Sequence, residues 1–202
     1  MTDLIRLALI DDDDAVLDAL SLYLLRNGIS VTCFSGAEPF LALAEKEAAF
    51  NCVVADVKMP GMSGVDLMLH LQQNPGSPAV ILITGHGDID MAVMAIKAGA
   101  FDFLEKPFDE IRLLDCIRRA VSLTEERRAE LAQQSAMRLR ISSLPKRQRE
   151  VMDLAISGLS NKEIAHQLKI SPRTVEGHRA WVMQRLGARN LAELIRMVMS
   201  SS

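Results

Sequence analysis

The sequence has few cysteines and no apolar run of membrane-spanning length. Its three cysteines, Cys33, Cys52 and Cys116, cannot all pair, and they lack the spacing of a zinc site. They stand in apolar segments, so we expect reduced, buried thiols. No charged amino-terminal segment precedes an apolar stretch, which argues against a signal peptide and predicts a soluble, cytoplasmic chain without a membrane partner. Low-complexity tracts and internal repeats are also absent.

A net charge of −3 conceals two halves of opposite sign. Residues 1–122 carry nine Lys and Arg against eighteen Asp and Glu, whereas residues 123–202 carry fourteen against eight. The length of 202 residues allows one domain of ordinary size and one small domain. An acidic half suits a metal-binding control domain, and a basic half suits a domain that binds a polyanion.

Strand-like apolar runs in the acidic half end in polar residues. These are Asp11 and Asp12 after residues 7–10, Asp56 after 52–55, Thr84 after 80–83 and Lys106 after 101–105. Helical periodicity lies between the runs, and residues 31–34 add a further strand. Continuous Val, Ile and Leu strands require a sheet covered on both faces, so we predict an α/β fold with a doubly wound, five-stranded parallel sheet. The carboxyl ends of its strands would bring the polar residues into one site.

Such a site suits phosphoryl chemistry. Clustered carboxylates repel one another unless a hard cation such as Mg²⁺ neutralises them through oxygen ligands. Asp56 could then act as a nucleophile and form an aspartyl phosphate. The Lys106 ammonium would pair with one phosphoryl oxygen, and the Thr84 hydroxyl would donate to another. Each residue alone has a structural alternative, such as an acidic helix start for Asp11 and Asp12. Only the set indicates this chemistry.

Four motifs, in order along about the first 120 residues, resemble the receiver domain of bacterial two-component response regulators, which has a CheY/flavodoxin-like fold. They are Ile10-Asp11-Asp12, Asp56-Val57-Lys58-Met59-Pro60-Gly61, Thr84-Gly85-His86-Gly87 and Lys106-Pro107-Phe108. The resemblance implies that Asp56 accepts a phosphoryl group from a sensor histidine kinase and loses it slowly, without the chain being a dedicated enzyme. It also implies Mg²⁺ held by Asp12, Asp56 and the Lys58 backbone carbonyl, with Asp11 acting through a water molecule.

Helix signals in the basic half predict a helix-turn-helix. One helix ends at Gly158, and a short one begins near Asn161. Ser171 as N-cap and Pro172 at the first helical position open a third, and residues 191–195 supply a last helix. The second half is therefore predicted to be a small all-α domain.

Three segments of this half are similar to the LuxR-type DNA-binding domain, over about residues 142–199. They are Gly158-Leu159-Ser160-Asn161-Lys162-Glu163-Ile164-Ala165, Ser171-Pro172-Arg173-Thr174-Val175-Glu176 and Leu186-Gly187-Ala188-Arg189-Asn190. With a receiver in front, the chain resembles FixJ-type members of the NarL/FixJ response regulators. The resemblance makes residues 172–187 a recognition helix in the major groove of promoter half-sites. Its first helix departs from the family, because Pro145-Lys146-Arg147-Gln148 lacks a capping box; we expect Ser142 or Ser143 to cap it.

The recognition helix divides into an inner and an outer face. Val175, Val182 and Leu186 share one side and should pack inward. By the resemblance, base-reading positions are held by Glu176, Gly177 and Ala180, and phosphate contacts by Asn161, Lys162, Arg173, Thr174 and Arg179. Glutamate can accept a hydrogen bond from cytosine N4, which makes Glu176 a candidate specificity residue.

Activation is expected to change the surface around the fourth helix and fifth strand of the receiver. By the resemblance, Thr84, Phe103 and Lys106 sense the phosphoryl group, and the peptide bond after Lys106 is cis. Val93 and Lys97 lie where FixJ-like receivers pair, so phosphorylation should produce a homodimer that addresses two DNA half-sites. RNA polymerase is a possible further partner.

The predicted division is a receiver at 1–121, a helical linker at 122–141 and a DNA-binding domain at 142–202. The linker has no Gly or Pro and has high helix propensity, although a break near Thr124 is an alternative. Two other functions compete with the main prediction. One is a phosphorylation-independent DNA-binding regulator whose receiver is only a dimerisation scaffold. The other is an aspartyl-phosphate hydrolase, which would need a second Asp two residues after Asp56, where Lys58 stands.

Overall fold

The computed structural model describes residues 4–44, 50–85 and 89–200, and only the backbone of 89–92. The chain forms two compact units, Met1–Ala129 and Glu130–Ser202. His86 and Gly87 of the predicted receiver motifs lie outside the described residues. Within the described ranges, the helices lack the combination of length and apolar character needed to span a bilayer.

The first unit alternates strands and helices, as predicted. Its strands are β1 (Arg6–Ile10), β2 (Ser30–Phe34), β3 (Cys52–Asp56), β4 (Ala79–Thr84) and β5 (Asp102–Glu105). Its helices are α1 (Asp14–Arg26), α2 (Ala37–Ala44), α3 (Gly64–Gln72), α4 (Ile89–Lys97) and α5 (Glu110–Ser142), the last of which crosses the boundary between the units. The five strands form one parallel sheet in the order β2-β1-β3-β4-β5, which confirms the predicted doubly wound α/β fold.

Strand alternation divides the core of this unit between the two faces of the sheet. Leu9 and Val54 pack with residues of α1 and α5, whereas Ile10 and Val53 pack with residues of α2, α3 and α4. The central strands are therefore apolar at nearly every position. β2 lies at the edge, and its Cys33 is exposed, so the expectation of a buried thiol is wrong there.

Helix α5 is continuous from Glu110 to Ser142 and does not break at Thr124. The Thr124 hydroxyl is buried; it accepts a hydrogen bond from the Ala79 amide at 2.9 Å and donates to the Ala120 carbonyl at 3.0 Å. One turn later the Arg128 guanidinium donates to the carbonyls of Gly76 and Phe50, at 3.0 and 2.9 Å. These contacts attach residues beyond 121 to the first unit.

The second unit consists of the end of α5 and four further helices: α6 (Lys146–Ile156), α7 (Asn161–Leu168), α8 (Pro172–Leu186) and α9 (Leu191–Met199). Helices α7 and α8 form the predicted helix-turn-helix. Val175, Val182 and Leu186 are buried at 0%, 1% and 1% exposure, so the inner face of α8 is the predicted one. Ser171 caps α8 by accepting a hydrogen bond from the Thr174 amide at 3.1 Å, and Gly187 ends it in a left-handed conformation with φ of 81°.

The start of α6 differs from the prediction. Pro145 is the N-cap residue and makes no side-chain capping bond. The Ser142 and Ser143 hydroxyls instead donate to the carbonyls of Leu139 and Arg140 in the last turn of α5. Both serines therefore serve the preceding helix, because α5 extends further than the sequence indicated.

Candidate functional site

The strand ends of the first unit bring two carboxylates and an ammonium together. Asp11 follows β1, Asp56 ends β3 and Lys106 follows β5. Lys106 Nζ lies 2.8 Å from Asp11 Oδ2 and 2.8 Å from Asp56 Oδ1. Asp11 and Asp56 are only 3% and 8% exposed, so the ammonium provides the partner that buried carboxylates require.

The two carboxylates in turn hold the charge on Lys106. Burial by itself would lower the lysine pKa, but hydrogen bonds and charge interactions with Asp11 and Asp56 outweigh it and raise the pKa above the ordinary lysine value. Lys106 therefore remains cationic throughout the neutral range, ready to pair with any anion that reaches Asp56.

The loop after β3 fixes the orientation of Asp56. The Lys58 amide donates to Asp56 Oδ2 at 2.7 Å, which leaves Oδ1 with Lys106. Gly64 opens α3 so close to this strand end that a Cβ atom there would lie 2.2 Å from the Asp56 carbonyl oxygen. Only glycine fits at this position, and sequence reasoning did not identify it.

Asp11 and Asp12 lie at the same edge, where the chain turns from β1 into α1. Asp11 Oδ1 accepts a hydrogen bond from the Asp13 amide at 3.0 Å, and Asp12 is exposed. With Asp56, they make three carboxylates at this edge, and their combined negative charge exceeds the single positive charge of Lys106. Carboxylate oxygens are the ligand type that Mg²⁺ prefers. No group of three or more His, Cys, Asp or Glu side chains is spaced to hold an ion in the part of the chain that the structure describes. The donors thus match a divalent cation in ligand type but not, in this structure, in spacing.

Thr84 and Phe103 lie beside this cluster. Thr84 ends β4, is 1% exposed, and its carbonyl accepts the Lys106 amide at 2.7 Å. Phe103 lies in β5, is half-buried and packs against the core face that contains Leu82. The peptide bond between Lys106 and Pro107 is cis, as the receiver resemblance implied.

Helix α4 presents apolar side chains to solvent. Val93, Met94 and Ile96 are 47%, 69% and 45% exposed, and Lys97 is exposed one turn after Val93. The predicted dimer residues Val93 and Lys97 therefore belong to an accessible and partly apolar face.

The predicted DNA-binding residues lie on α7 and α8 of the second unit. All are exposed or half-buried, which leaves them accessible: Asn161, Lys162, Arg173, Thr174, Glu176, Gly177, Arg179 and Ala180. A Cβ atom built at Gly177 would have no neighbouring side chain or loop atom of this unit within 4 Å. Packing inside the unit therefore does not require glycine there.

Three of these residues are connected to one another. Arg179 Nη1 donates to Asn161 Oδ1 at 2.7 Å, and Asn161 Nδ2 donates to Glu176 Oε1 at 3.4 Å. The first residue of α7 thus links two residues of α8. Sequence reasoning placed all three on this surface but did not predict the link.

A capping box at the start of α7 was also missed. Ser160 Oγ accepts from the Glu163 amide at 3.4 Å, while Glu163 Oε2 accepts from the Ser160 amide at 2.7 Å. Hydrogen bonds with the Ser160 hydroxyl and amide favour the ionised form of the Glu163 carboxyl and so lower the pKa of Glu163. The spacing Ser-x-x-Glu was the signal that could have identified the box.

The fold and both sites define a class of protein, and family comparisons identify the same one. The model of the response regulator receiver domain matches residues 7–118, and the model of bacterial regulatory proteins of the luxR family matches residues 142–198. The chain therefore belongs to the response regulators that join a receiver domain to a LuxR-type DNA-binding domain.

Individual relatives are FixJ-like. The transcriptional regulatory protein FixJ of Azorhizobium caulinodans is 42% identical over 199 residues, which are 98% of this chain and 94% of that protein. The structure of the response regulator StyR superimposes with a TM-score of 0.79 at 42% identity, covering 96% of this chain and 98% of StyR. Full-length FixJ from B. japonicum gives a TM-score of 0.59 at 42% identity over 97% and 96% of the two chains. A receiver domain implies a histidine kinase as partner, and a LuxR-type domain implies DNA binding.

Proposed function

We propose that this chain is a transcription regulator switched by phosphorylation of Asp56. The observation that carries the proposal is Lys106 Nζ, which lies 2.8 Å from both Asp11 and Asp56 at the carboxyl edge of the sheet. A carboxylate with a permanent cation beside it can become a nucleophile towards a phosphoryl group and keep its charge balanced afterwards.

The reaction is a phosphoryl transfer. An Asp56 carboxylate oxygen forms a bond to phosphorus, and the bond from phosphorus to a kinase histidine nitrogen breaks; the electron pair stays on that nitrogen, which takes up a proton. The Lys106 ammonium then moves from the Asp56 carboxylate to a phosphoryl oxygen, and the Thr84 hydroxyl donates to another. Slow hydrolysis of this acyl phosphate by water resets the protein.

The residues that would hold Mg²⁺ are Asp12, Asp56 and the Lys58 carbonyl, with Asp11 acting through a water molecule. Receiver domains in general bind Mg²⁺ for phosphorylation, and the bound ion would screen the carboxylates from the incoming phosphoryl oxygens. The Lys58 amide already fixes one Asp56 oxygen, so the same loop would present the Lys58 carbonyl beside the carboxylate.

The signal then leaves through Thr84 and Phe103. Movement of the buried Thr84 hydroxyl towards the phosphoryl group would free space that the half-buried Phe103 ring can enter. This changes the α4 and β5 surface, where Val93 and Lys97 would meet a second copy of the chain. Two joined DNA-binding domains would address two half-sites in promoter DNA within the bacterial cytoplasm. RNA polymerase is then a further expected partner, since the FixJ relatives are named transcriptional regulators.

Asp56 can be tested by intact mass. Wild-type protein and Asp56→Asn are incubated with acetyl phosphate, with Mg²⁺ or with a chelator. We expect one phosphoryl group on the wild type only, only when Mg²⁺ is present. Asn lacks the charged carboxylate oxygen that would act as the nucleophile. Because Asn keeps the size of Asp, the circular dichroism spectrum of the variant should match that of the wild type.

The alternative is a phosphorylation-independent regulator with the receiver as a scaffold. It predicts no labelling of either protein, with DNA binding that acetyl phosphate leaves unchanged. Labelling of Asp56→Asn at the wild-type level would place the phosphoacceptor elsewhere and would also overturn the proposal.

A further inference from the structure

Asn161 joins two helices of the proposed DNA surface through its side-chain amide. Its carbonyl oxygen accepts from Arg179 Nη1 at 2.7 Å, and its NH₂ group donates to Glu176 Oε1 at 3.4 Å. Arg179 and Glu176 lie one turn apart on α8, while Asn161 begins α7. Asn161 thus connects a basic and an acidic side chain of the recognition helix.

The direction of this amide is set by Arg179. A guanidinium has only donors, so the Asn161 atom that faces it must be the oxygen. The nitrogen then necessarily faces Glu176, where it can donate to the carboxylate. Reversal of the amide would put two donors against each other at Arg179 and two acceptors against each other at Glu176.

The position of Asn161 is fixed by the fold. It follows Ser160, whose capping box with Glu163 sets the start of α7. Ile164 of α7 and Val175 of α8 are fully buried in one apolar cluster, which holds the two helices together. A half-buried amide at such a start has little freedom, in contrast to the long exposed side chain of Glu176.

The consequence for Glu176 is a restricted carboxylate. One oxygen is held by Asn161, and the other remains able to accept a hydrogen bond from an amino group such as cytosine N4. Without Asn161, the carboxylate could turn away or pair directly with Arg179, and both would cost base discrimination.

We propose that Asn161 is a positioning residue for sequence reading, and that the phosphate contact predicted from the sequence is not its main role. The inference rests on the proposed DNA binding by α8. It assigns specificity to an interaction between helices: Asn161 orients Glu176, and Glu176 selects the base.

The test begins with the full-length protein treated with acetyl phosphate, which selects duplexes from a randomised DNA library. The affinities of the best sequence, its single-base variants and unrelated DNA are then measured for each protein. The proteins are wild type, Asn161→Ala, Asn161→Asp, Glu176→Ala and the double variant Asn161→Ala with Glu176→Ala. Lys162→Ala is the matched control, because it lies next to Asn161 and has no hydrogen bond to Glu176 among those described.

We expect Asn161→Ala to reduce discrimination at one base pair by about fivefold or more, with affinity for unrelated DNA little changed. Asn161→Asp keeps an acceptor for Arg179 but has no donor for Glu176, so it should lose the same discrimination. Once Glu176 is Ala, Asn161→Ala should have no additional effect on base preference. Lys162→Ala should instead weaken binding to all sequences and reduce its salt dependence.

Four outcomes would overturn the inference. Equal weakening on all sequences by Asn161→Ala would make Asn161 a phosphate contact, and full discrimination in Asn161→Asp would show that Glu176 needs no donor. If the wild type binds duplexes without selecting a sequence, there is no base reading to position, although DNA binding stands. A wild type that binds no duplex at all would mean that the proposed function itself fails, and the inference with it.

Discussion

At the scale of single residues, the first unit depends on charges that are buried but paired. Asp11 and Asp56 are nearly inaccessible, and buried carboxylates require a partner of opposite charge. Lys106 supplies that partner, and the same pairing raises the pKa of the lysine and keeps it charged. In the proposed reaction, this arrangement would supply both the nucleophile and the cation that stabilises its product.

The cysteines give a prediction at this scale. Burial raises the pKa of Cys52, and burial together with Asp102 raises the pKa of Cys116 to about 12. Both are inaccessible, whereas Cys33 is exposed. Since the thiolate is the reactive form, brief treatment of the native protein with iodoacetamide at mildly alkaline pH should modify Cys33 alone.

Peptide mass spectrometry identifies the modified cysteines. Unfolded protein treated in the same way should carry three labels and serves as the control. Native labelling of Cys52 or Cys116 at a rate similar to Cys33 would contradict the packing of β3 against α5.

The site residues differ in how far sequence could predict them. Asp11, Asp56, Thr84 and Lys106 could be predicted because each ends or follows a strand, and parallel strands share a carboxyl edge. Gly64 could not, since the need for glycine arises from its approach to the Asp56 carbonyl. Such contacts depend on the packed fold and leave no local pattern.

At the scale of elements, α5 has more contacts with the first unit than its sequence suggests. Thr124 and Arg128 bond to the amino-terminal side of the sheet, next to β4 and β3. These are the strands whose opposite ends carry Thr84 and Asp56. The beginning of the predicted linker is therefore held by the receiver, although its helical composition gave no sign of these contacts.

Replacement of Thr124 by Val tests this attachment. Val keeps the shape of Thr but removes the oxygen that accepts the buried Ala79 amide, and a buried donor without a partner costs about 1–3 kcal/mol. We expect the free energy of unfolding of the first unit to fall by that amount in urea titrations followed by circular dichroism.

Ser122→Ala is the matched control, because Ser122 lies on the same helix and its exposed hydroxyl donates to exposed Glu126, at 3.3 Å. It should change the free energy of unfolding by less than about 0.5 kcal/mol. Equal stability of the Thr124 and Ser122 variants would show that the attachment is not important for this unit.

Helix boundaries show the same limit of prediction. The starts of α7 and α8 carry local signals, Ser-x-x-Glu and Ser-Pro, and both agree with the structure. The start of α6 carries no such signal, and the predicted serine cap was wrong because α5 uses both serines. The bond from Asn161 to Glu176 joins two helices across 15 residues of sequence, which periodicity cannot reveal.

At the scale of the whole molecule, the chain combines an acidic receiver with a basic DNA-binding domain. Phosphorylation of Asp56, as proposed, would add negative charge to the receiver at a site far in sequence from α8. We propose that assembly carries the signal to DNA binding, because the α4 face with Val93 and Lys97 is exposed. Two linked domains gain affinity for paired half-sites through effective concentration.

The proposed switch is tested most directly by measuring DNA affinity with and without acetyl phosphate, on duplexes that carry one or two copies of the selected sequence. For the wild type, phosphorylation should tighten binding to two copies by about tenfold or more and change binding to one copy much less. Asp56→Asn should show no response on either duplex. Equal affinity of labelled and unlabelled wild type for the two-copy duplex would contradict the switch.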